Sequence, residues 1–207
     1  MGIISKEKFM AKAKKVIVCD VDGVLLNWED AFQIWMEHQG FEKVKNHQFI
    51  YNAAEQYGLN KAEGKKWVRL FNQSAAIGFL PPLRDAQEIV KLLHNNYGYR
   101  FAVCTSLSKD KSAQELRTRN LKKYFGDVFE EFVYLDTGAD KDDALYKLAK
   151  KYRGCYWVED KVENAHAGAV VEFDPIVMEH GYNMNDDHDY FVAKDWEDIY
   201  LHVTKRK

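Results

Sequence analysis

Asp20-Val21-Asp22-Gly23-Val24-Leu25 directly follows the apolar run Val16-Ile17-Val18-Cys19. Four apolar residues bounded by turn chemistry read as a short buried strand. Two carboxylates one residue apart then stand at the strand's carboxyl end, and Gly23 lets the chain turn sharply behind them. Like charges in so low a dielectric repel at substantial cost unless a cation or a proton lies between them. The stretch therefore predicts a buried strand whose end needs a positive partner.

Downstream of Pro81-Pro82 the chain alternates. Apolar periodicity predicts helices over 85–96, 112–124, 141–152, 163–167 and 196–203. Strands are predicted at 101–104, 132–135, 155–158 and 169–173. Such alternation argues for an α/β fold, a three-layer Rossmann-like parallel sheet with helices on both faces. Between the first strand and Pro81, residues 27–80 carry helical patterns instead. One covers 28–39 with Trp28, Phe32, Trp35 and Met36 on its apolar side. The other covers 59–74, with Asn60 as its N-cap. Residues 41–58 read as irregular. The expected organisation is a core of residues 1–26 and 81–207, interrupted by a small helical cap at 27–80. Residues 1–15 read as a polar lead-in with room for a short helix.

Lys+Arg 30 against Asp+Glu 32 leaves a net charge of -2 across 207 residues. That balance points neither to a nucleic-acid polymer nor to an anionic membrane surface as partner. No apolar run approaches the roughly 18 residues of a membrane span. The basic, charge-broken N-terminus lacks a signal-peptide core, so a cytoplasmic protein is expected. Cys19, Cys104 and Cys155 each sit inside an apolar strand-like run and form no Cys-x-x-Cys pair, which reads as reduced core thiols.

In an open parallel sheet, ligands bind beyond the carboxyl ends of the strands. Here those ends are polar one after another: Asp20 and Asp22, then Thr105 and Ser106, then Asp136 leading to Lys141 at a helix start, then Glu159 and Asp160. Singly, each is an ordinary cap, turn or solvated charge. Together they are the equipment of a magnesium-assisted phosphate site. Carboxylate oxygens suit Mg²⁺. Thr105, Ser106 and Lys141 suit the phosphoryl oxygens, where transition-state charge spreads. An aspartate is an acceptable nucleophile toward phosphorus. The aromatics Trp28 and Phe32 read either as a stacking surface for a nucleobase or as the cap's own core. Asn185-Asp186-Asp187-His188-Asp189 reads as a solvated acidic loop.

These four strand ends, in this order, resemble the four motifs of the haloacid dehalogenase superfamily of phosphatases, over roughly residues 16–203. The resemblance implies that Asp20 attacks phosphorus and that Asp22 protonates the leaving oxygen and then activates water. It implies Mg²⁺ held by Asp20, the backbone carbonyl of Asp22 and Asp160, with Glu159 acting through a bound water. Gly78-Phe79-Leu80-Pro81-Pro82, Cys104-Thr105-Ser106, Lys123-Tyr124-Phe125-Gly126 and His180-Gly181-Tyr182-Asn183 also resemble the 5'(3')-deoxyribonucleotidase family. There an aromatic eight positions after the nucleophile, here Trp28, stacks on the base. The function so implied is a Mg²⁺-dependent phosphomonoesterase working through an aspartyl-phosphate on a small phosphate ester, a (deoxy)nucleoside monophosphate. A sugar-phosphate phosphatase or phosphomutase on the same scaffold is the alternative within enzymes. A non-catalytic binding protein that retains the fold is the alternative outside them.

Overall fold

A computed structural model describes residues 15–205. The polar lead-in, up to residue 14, lies outside the described residues. Six strands form one sheet in the order β3-β2-β1-β4-β5-β6. They are β1 (Val16–Cys19), β2 (Arg100–Ser106), β3 (Phe129–Leu135), β4 (Tyr156–Glu159), β5 (Asp174–Met178) and β6 (Phe191–Ala193). Every neighbouring pair is parallel. The chain winds outward from β1 to β3, then returns to the other side of β1 for β4. The order therefore reverses between β1 and β4, the point at which open parallel sheets bind ligands beyond the strands' carboxyl ends.

The all-apolar sequence of β1 follows from its central place. Ile17 and Cys19 pack on one face with α4 (Ala86–Tyr97), α5 (Lys111–Phe125) and α8 (Trp196–Lys205). Val16 and Val18 pack on the other face with α6 (Asp142–Tyr152), beside which lies α7 (Val162–Val170). Alternate residues serve opposite faces, and a strand covered on both sides has no polar side to show.

Residues between β1 and α4 carry the helices α1 (Trp28–His38), α2 (Ala53–Gln56) and α3 (Lys61–Asn72), with 3-10 turns at His47–Phe49 and Ala75–Gly78 and isolated β-bridges of Leu26 with Asp22 and Pro82. Asn60 caps α3 through a capping box closed by Glu63. Phe32, Met36, Phe71 and Ile77 of this segment belong to the same apolar cluster as Ile17 and Cys19. The helical segment thus extends the core of one sheet face rather than enclosing a separate one. Asn72 pins it further by donating to the Leu107 carbonyl at 3.1 Å.

The expected elements need correction in several places, one being α2 (Ala53–Gln56), a helical turn inside the stretch 41–58 expected to be irregular. Residues 169–173 are not a strand: α7 continues to Val170 and the strand is Asp174–Met178. A short apolar run is equally a helix tail or a strand, and Pro175 inside the true strand argued against one there. The edge strand β6 was not expected at all. Strand β2 also runs longer than predicted, through Ser106, so Thr105 sits inside its final residues.

Candidate active site

The center of the site is a buried lysine among carboxylates. Lys141, 2% exposed, stands at the N-cap of α6. Its Nζ donates to Asp20 Oδ2 at 2.7 Å and to Glu159 Oε2 at 2.6 Å, tying the carboxyl end of β1 to that of β4. The indole of Trp157 lies 5.4 Å from the ammonium. Glu159 turns its other oxygen to the backbone N–H groups of Asp160 and Lys161, both at 3.1 Å. Asp20 Oδ1 accepts from the Val21 N–H at 2.7 Å. Burial pushes the Asp20 carboxyl up to about 6, with Lys141 pulling it back. Burial likewise raises Glu159 to about 7 against the same lysine. Burial alone would pull Lys141 down, but Asp20 and Glu159 hold it well above its ordinary range.

Asp20, Glu159 and Asp160 offer carboxylate oxygens that lie within 4.8 Å of one another. Three buried carboxylates stand around one ammonium, which pairs with Asp20 and Glu159 and not with Asp160, so negative charge is left over. An all-oxygen donor set with excess negative charge fits a hard divalent cation such as Mg²⁺. The turn at Gly23 is shaped to this cluster. Its φ is +75°, and a Cβ there would fall 2.6 Å from Asp160 Oδ2. Any side chain at this position would crowd the carboxylate as well as strain the backbone.

The raised carboxyls give a testable pH dependence. Unfolded carboxyls titrate at ~4, whereas burial in the fold pushes Asp20 up to about 6 and Glu159 up to about 7. Between those limits the folded state binds more protons than the unfolded one. Metal-free stability from these two groups is therefore full below ~4 and is lost as pH rises through about 7. Metal binding needs the ionised forms. Mg²⁺ at a hundredfold excess over Kd should raise Tm by about 5–10 °C at pH 8 and by clearly less at pH 5. Equal shifts at both pH values, or none, in a thermal melt would count against a cation site here.

Asp22 points its carboxylate to Arg117 of α5, with Oδ1 accepting from Nη1. Burial raises the Asp22 carboxyl and the guanidinium pulls it back. Thr105 is buried, and the pairing of Cys19 with Val103 sets it beside the Asp20–Asp22 turn. Asp20, Asp22, Thr105, Lys141, Glu159 and Asp160 therefore meet at the carboxyl ends of β1, β2 and β4.

Two other expected binding residues are placed differently. Phe32 is 2% exposed and packs against Trp28, Trp35, Tyr57 and Phe71. Its ring has no free face for a ligand, because the helical segment uses it as core. Ser106 donates its hydroxyl to the Ala139 carbonyl at 2.8 Å and so fastens the loop leading to Lys141. Trp28 is only partly buried. It stacks on Phe32 with ring centers 4.5 Å apart and donates to Asn72 at 2.9 Å.

Sequence reasoning gave no site role to a second group, in the loop after β5. Tyr182 donates its hydroxyl to Asp160 Oδ2. Asn183 donates to the Asp160 carbonyl at 2.7 Å, and His180 Nε2 to the Gly23 carbonyl at 2.7 Å. Together they hold both halves of the carboxylate cluster from outside. Tyr51 of the inserted segment lies edge-on to Tyr182 with ring centers 5.2 Å apart, and Lys161 lies 5.8 Å from its ring center. Burial and then the charges of Asp160 and Glu159 raise its phenol, and the residue as a whole remains 55% exposed. The close approach of the two segments requires Gly181, where a Cβ would fall 2.4 Å from the Gln48 carbonyl. None of these residues shows a periodic or spaced signal, since each acts across a loop.

No protein-family model matches the chain. An uncharacterized 32.4 kDa protein of Enterobacteria phage T4 is 24% identical over 180 residues, covering 83% of this chain and 63% of that protein. The chain thus spans less than two thirds of the curated relative's length. Among the described residues no helix is long and apolar enough to cross a membrane. Solved structures match over nearly the whole chain. A D,D-heptose 1,7-bisphosphate phosphatase from B. bronchiseptica, complexed with magnesium and phosphate, has a TM-score of 0.60 at 12% identity, covering 93% of this chain and 99% of that one. A haloacid dehalogenase-like hydrolase from Streptococcus pneumoniae has a TM-score of 0.61 at 15% identity, covering 92% and 97%. An L-2-haloacid dehalogenase from Xanthobacter autotrophicus, with chloropropionic acid covalently bound, has a TM-score of 0.58 at 11% identity, covering 94% and 100%. These neighbours include a phosphatase and a dehalogenase, so their shared property is architecture. The chain has the Rossmann-like α/β fold of haloacid dehalogenase-type hydrolases.

Proposed function

We propose that the protein is a Mg²⁺-dependent phosphomonoesterase that works through a phosphoaspartate on Asp20. The observation that carries this reading is the buried contact of Lys141 with Asp20 and Glu159, with Asp160 in reach of the same cation. Asp20, Asp160 and the carbonyl of Asp22 would hold the metal, which supplies positive charge to the phosphoryl oxygens. Lys141 and Thr105 add donors to those oxygens. An Asp20 carboxylate oxygen attacks phosphorus, and the ester P–O bond breaks with its electron pair going to the leaving oxygen. The protonated carboxyl of Asp22 gives that oxygen its proton. A water oxygen then attacks the phosphoaspartate, its proton passes to the Asp22 carboxylate, and the Asp20–phosphorus bond breaks. Inorganic phosphate and the starting carboxylate result. Glu159 orients Lys141 throughout, because both of its oxygens are engaged in hydrogen bonds.

For the substrate we propose a (deoxy)nucleoside monophosphate. The half-exposed ring of Tyr51, edge-on to the Tyr182 that donates to Asp160, supports a planar group beyond the phosphate, with Trp28 as a further aromatic at the same segment. The second reading, a sugar-phosphate phosphatase, is favoured by the likeness to a heptose bisphosphate phosphatase. A panel of nucleotides, sugar phosphates and an aryl phosphate with Mg²⁺ separates them. Tyr51→Ala should raise KM for nucleotides about 5- to 150-fold, the loss of one stacking contact, and leave aryl phosphate turnover nearly unchanged. Higher specificity constants for sugar phosphates, with Tyr51→Ala neutral, would favour the second reading.

A further inference from the structure

One fully buried charged side chain lies outside the phosphate-facing set. Arg117 is 0% exposed on the inner face of α5, in line with the buried Ala113, Asn120 and Leu121. Its Nη1 donates to Asp22 Oδ1, whereas its Nε and Nη2 are buried without a hydrogen-bond partner among the described residues. A guanidinium carries five N–H donors and keeps its charge at every physiological pH. Burying it half-satisfied costs more than its single ion pair returns, and an apolar side chain of similar volume would pack this helix face better. Fold stability alone does not account for an arginine here. Among the described residues its ion-pair partner is the carboxylate of Asp22, just past the first strand.

We propose that Arg117 is the positioning residue for Asp22. This rests on the phosphatase reading above. Arg117 holds Oδ1, so the carboxyl group cannot rotate freely, and Oδ2 is left as the oxygen that carries the proton to the leaving group and takes one from water. Among the described residues Asp22 has no second ion pair. It follows Asp20 and Val21 into the Gly23 turn and keeps 21% of its side-chain surface open. The arginine comes from α5, on the face opposite Lys141, so each carboxylate of the motif has its own cation. Lys141 serves the nucleophile, and Arg117 serves the proton carrier. Proton transfer demands closer geometry than binding does, so the arginine acts on turnover and not on affinity.

The test is a double-mutant cycle with Arg117→Met and Asp22→Asn, measured with Mg²⁺ on p-nitrophenyl phosphate and on an alkyl phosphate, with circular dichroism on each protein. Arg117→Met should lower kcat on the alkyl ester about 10²-fold with KM within about twofold. In the Asp22→Asn background it should lower kcat less than about threefold, because its partner's function is already gone. Arg117→Lys should recover part of the loss. A burst of nitrophenolate should persist in Arg117→Met while steady turnover slows, since a good leaving group needs no proton but hydrolysis of the phosphoaspartate still needs a base. Equal losses in both backgrounds would reduce Arg117 to a structural role and overturn the inference. If the Met variant does not fold, Arg117→Lys supplies the same cycle with the charge retained. Wild-type protein inert on both esters would overturn the phosphatase reading itself, a result distinct from an active enzyme indifferent to Arg117.

Discussion

Asp20→Asn should abolish hydrolysis of every phosphate ester the protein accepts, by about 10⁴-fold or more, and leave the fold intact. The amide is nearly isosteric. Its oxygen can still accept from Lys141, which now sits 2.7 Å from Asp20 Oδ2. What it lacks is the negative charge and nucleophilicity to form the bond to phosphorus. Stability should hold or rise slightly, because burial already pushes the Asp20 carboxyl up to about 6 and the substitution removes that buried charge. The measurement is turnover together with the mass of acid-quenched protein. Wild type should gain one phosphoryl group during turnover, and the variant none. Residual turnover near wild type, or a phosphoryl group trapped elsewhere, would sink the mechanism.

Lys141→Met should be the most destabilising single change at the site. Nearly all of the lysine is buried, and it is the shared partner of two buried carboxylates. Removing one member of such a group leaves uncompensated charge, at a cost of about 3–5 kcal/mol. For a chain of this size that lowers Tm by about 6–20 °C. The penalty has a sign in pH. Asp20 and Glu159 escape it by protonating, and without the ammonium both would hold their protons still more tightly than at about 6 and about 7. The loss should therefore shrink at pH 5 and be full at pH 8. Turnover should fail at both. Thermal melts of variant and wild type across that range decide it: a Tm difference that does not depend on pH would mean that the lysine does not neutralise these carboxylates.

Arg117 and Lys141 show how unevenly the site is written into the chain. Asp20, Asp22, Glu159, Asp160 and Thr105 were legible because each ends an apolar run, and an apolar run that stops at a carboxylate or hydroxyl is a local pattern. Lys141 was legible because it opens a helix after such a run. Arg117 was not. It stands inside the amphipathic helix α5, where an arginine reads as a solvated charge, and its partner is 95 residues away in the chain. In the sequence Tyr182 and His180 carry only a family likeness, and their contacts with Asp160 and Gly23 emerge only when the loop after β5 folds back over the first turn. Phe32 failed in the opposite direction. Its helical spacing with Trp28 and Trp35 was right, but spacing does not say whether a stripe faces a ligand or its own neighbours.

The sequence by itself determined the alternation of buried strands and amphipathic helices, the helical insertion behind the first strand, and the polar residue at the end of each central strand. These are local matters, decided by periodicity, capping and turn chemistry over a few residues. Only the tertiary structure decided that β1 lies between β2 and β4 and that one ammonium bridges Asp20 and Glu159. It alone assigned Asp22 a guanidinium of its own, and Asp160 a tyrosine and an asparagine from a distant loop. Those pairings join residues far apart in the chain, and they arise from how helices and loops pack across the sheet, which no short stretch of sequence encodes.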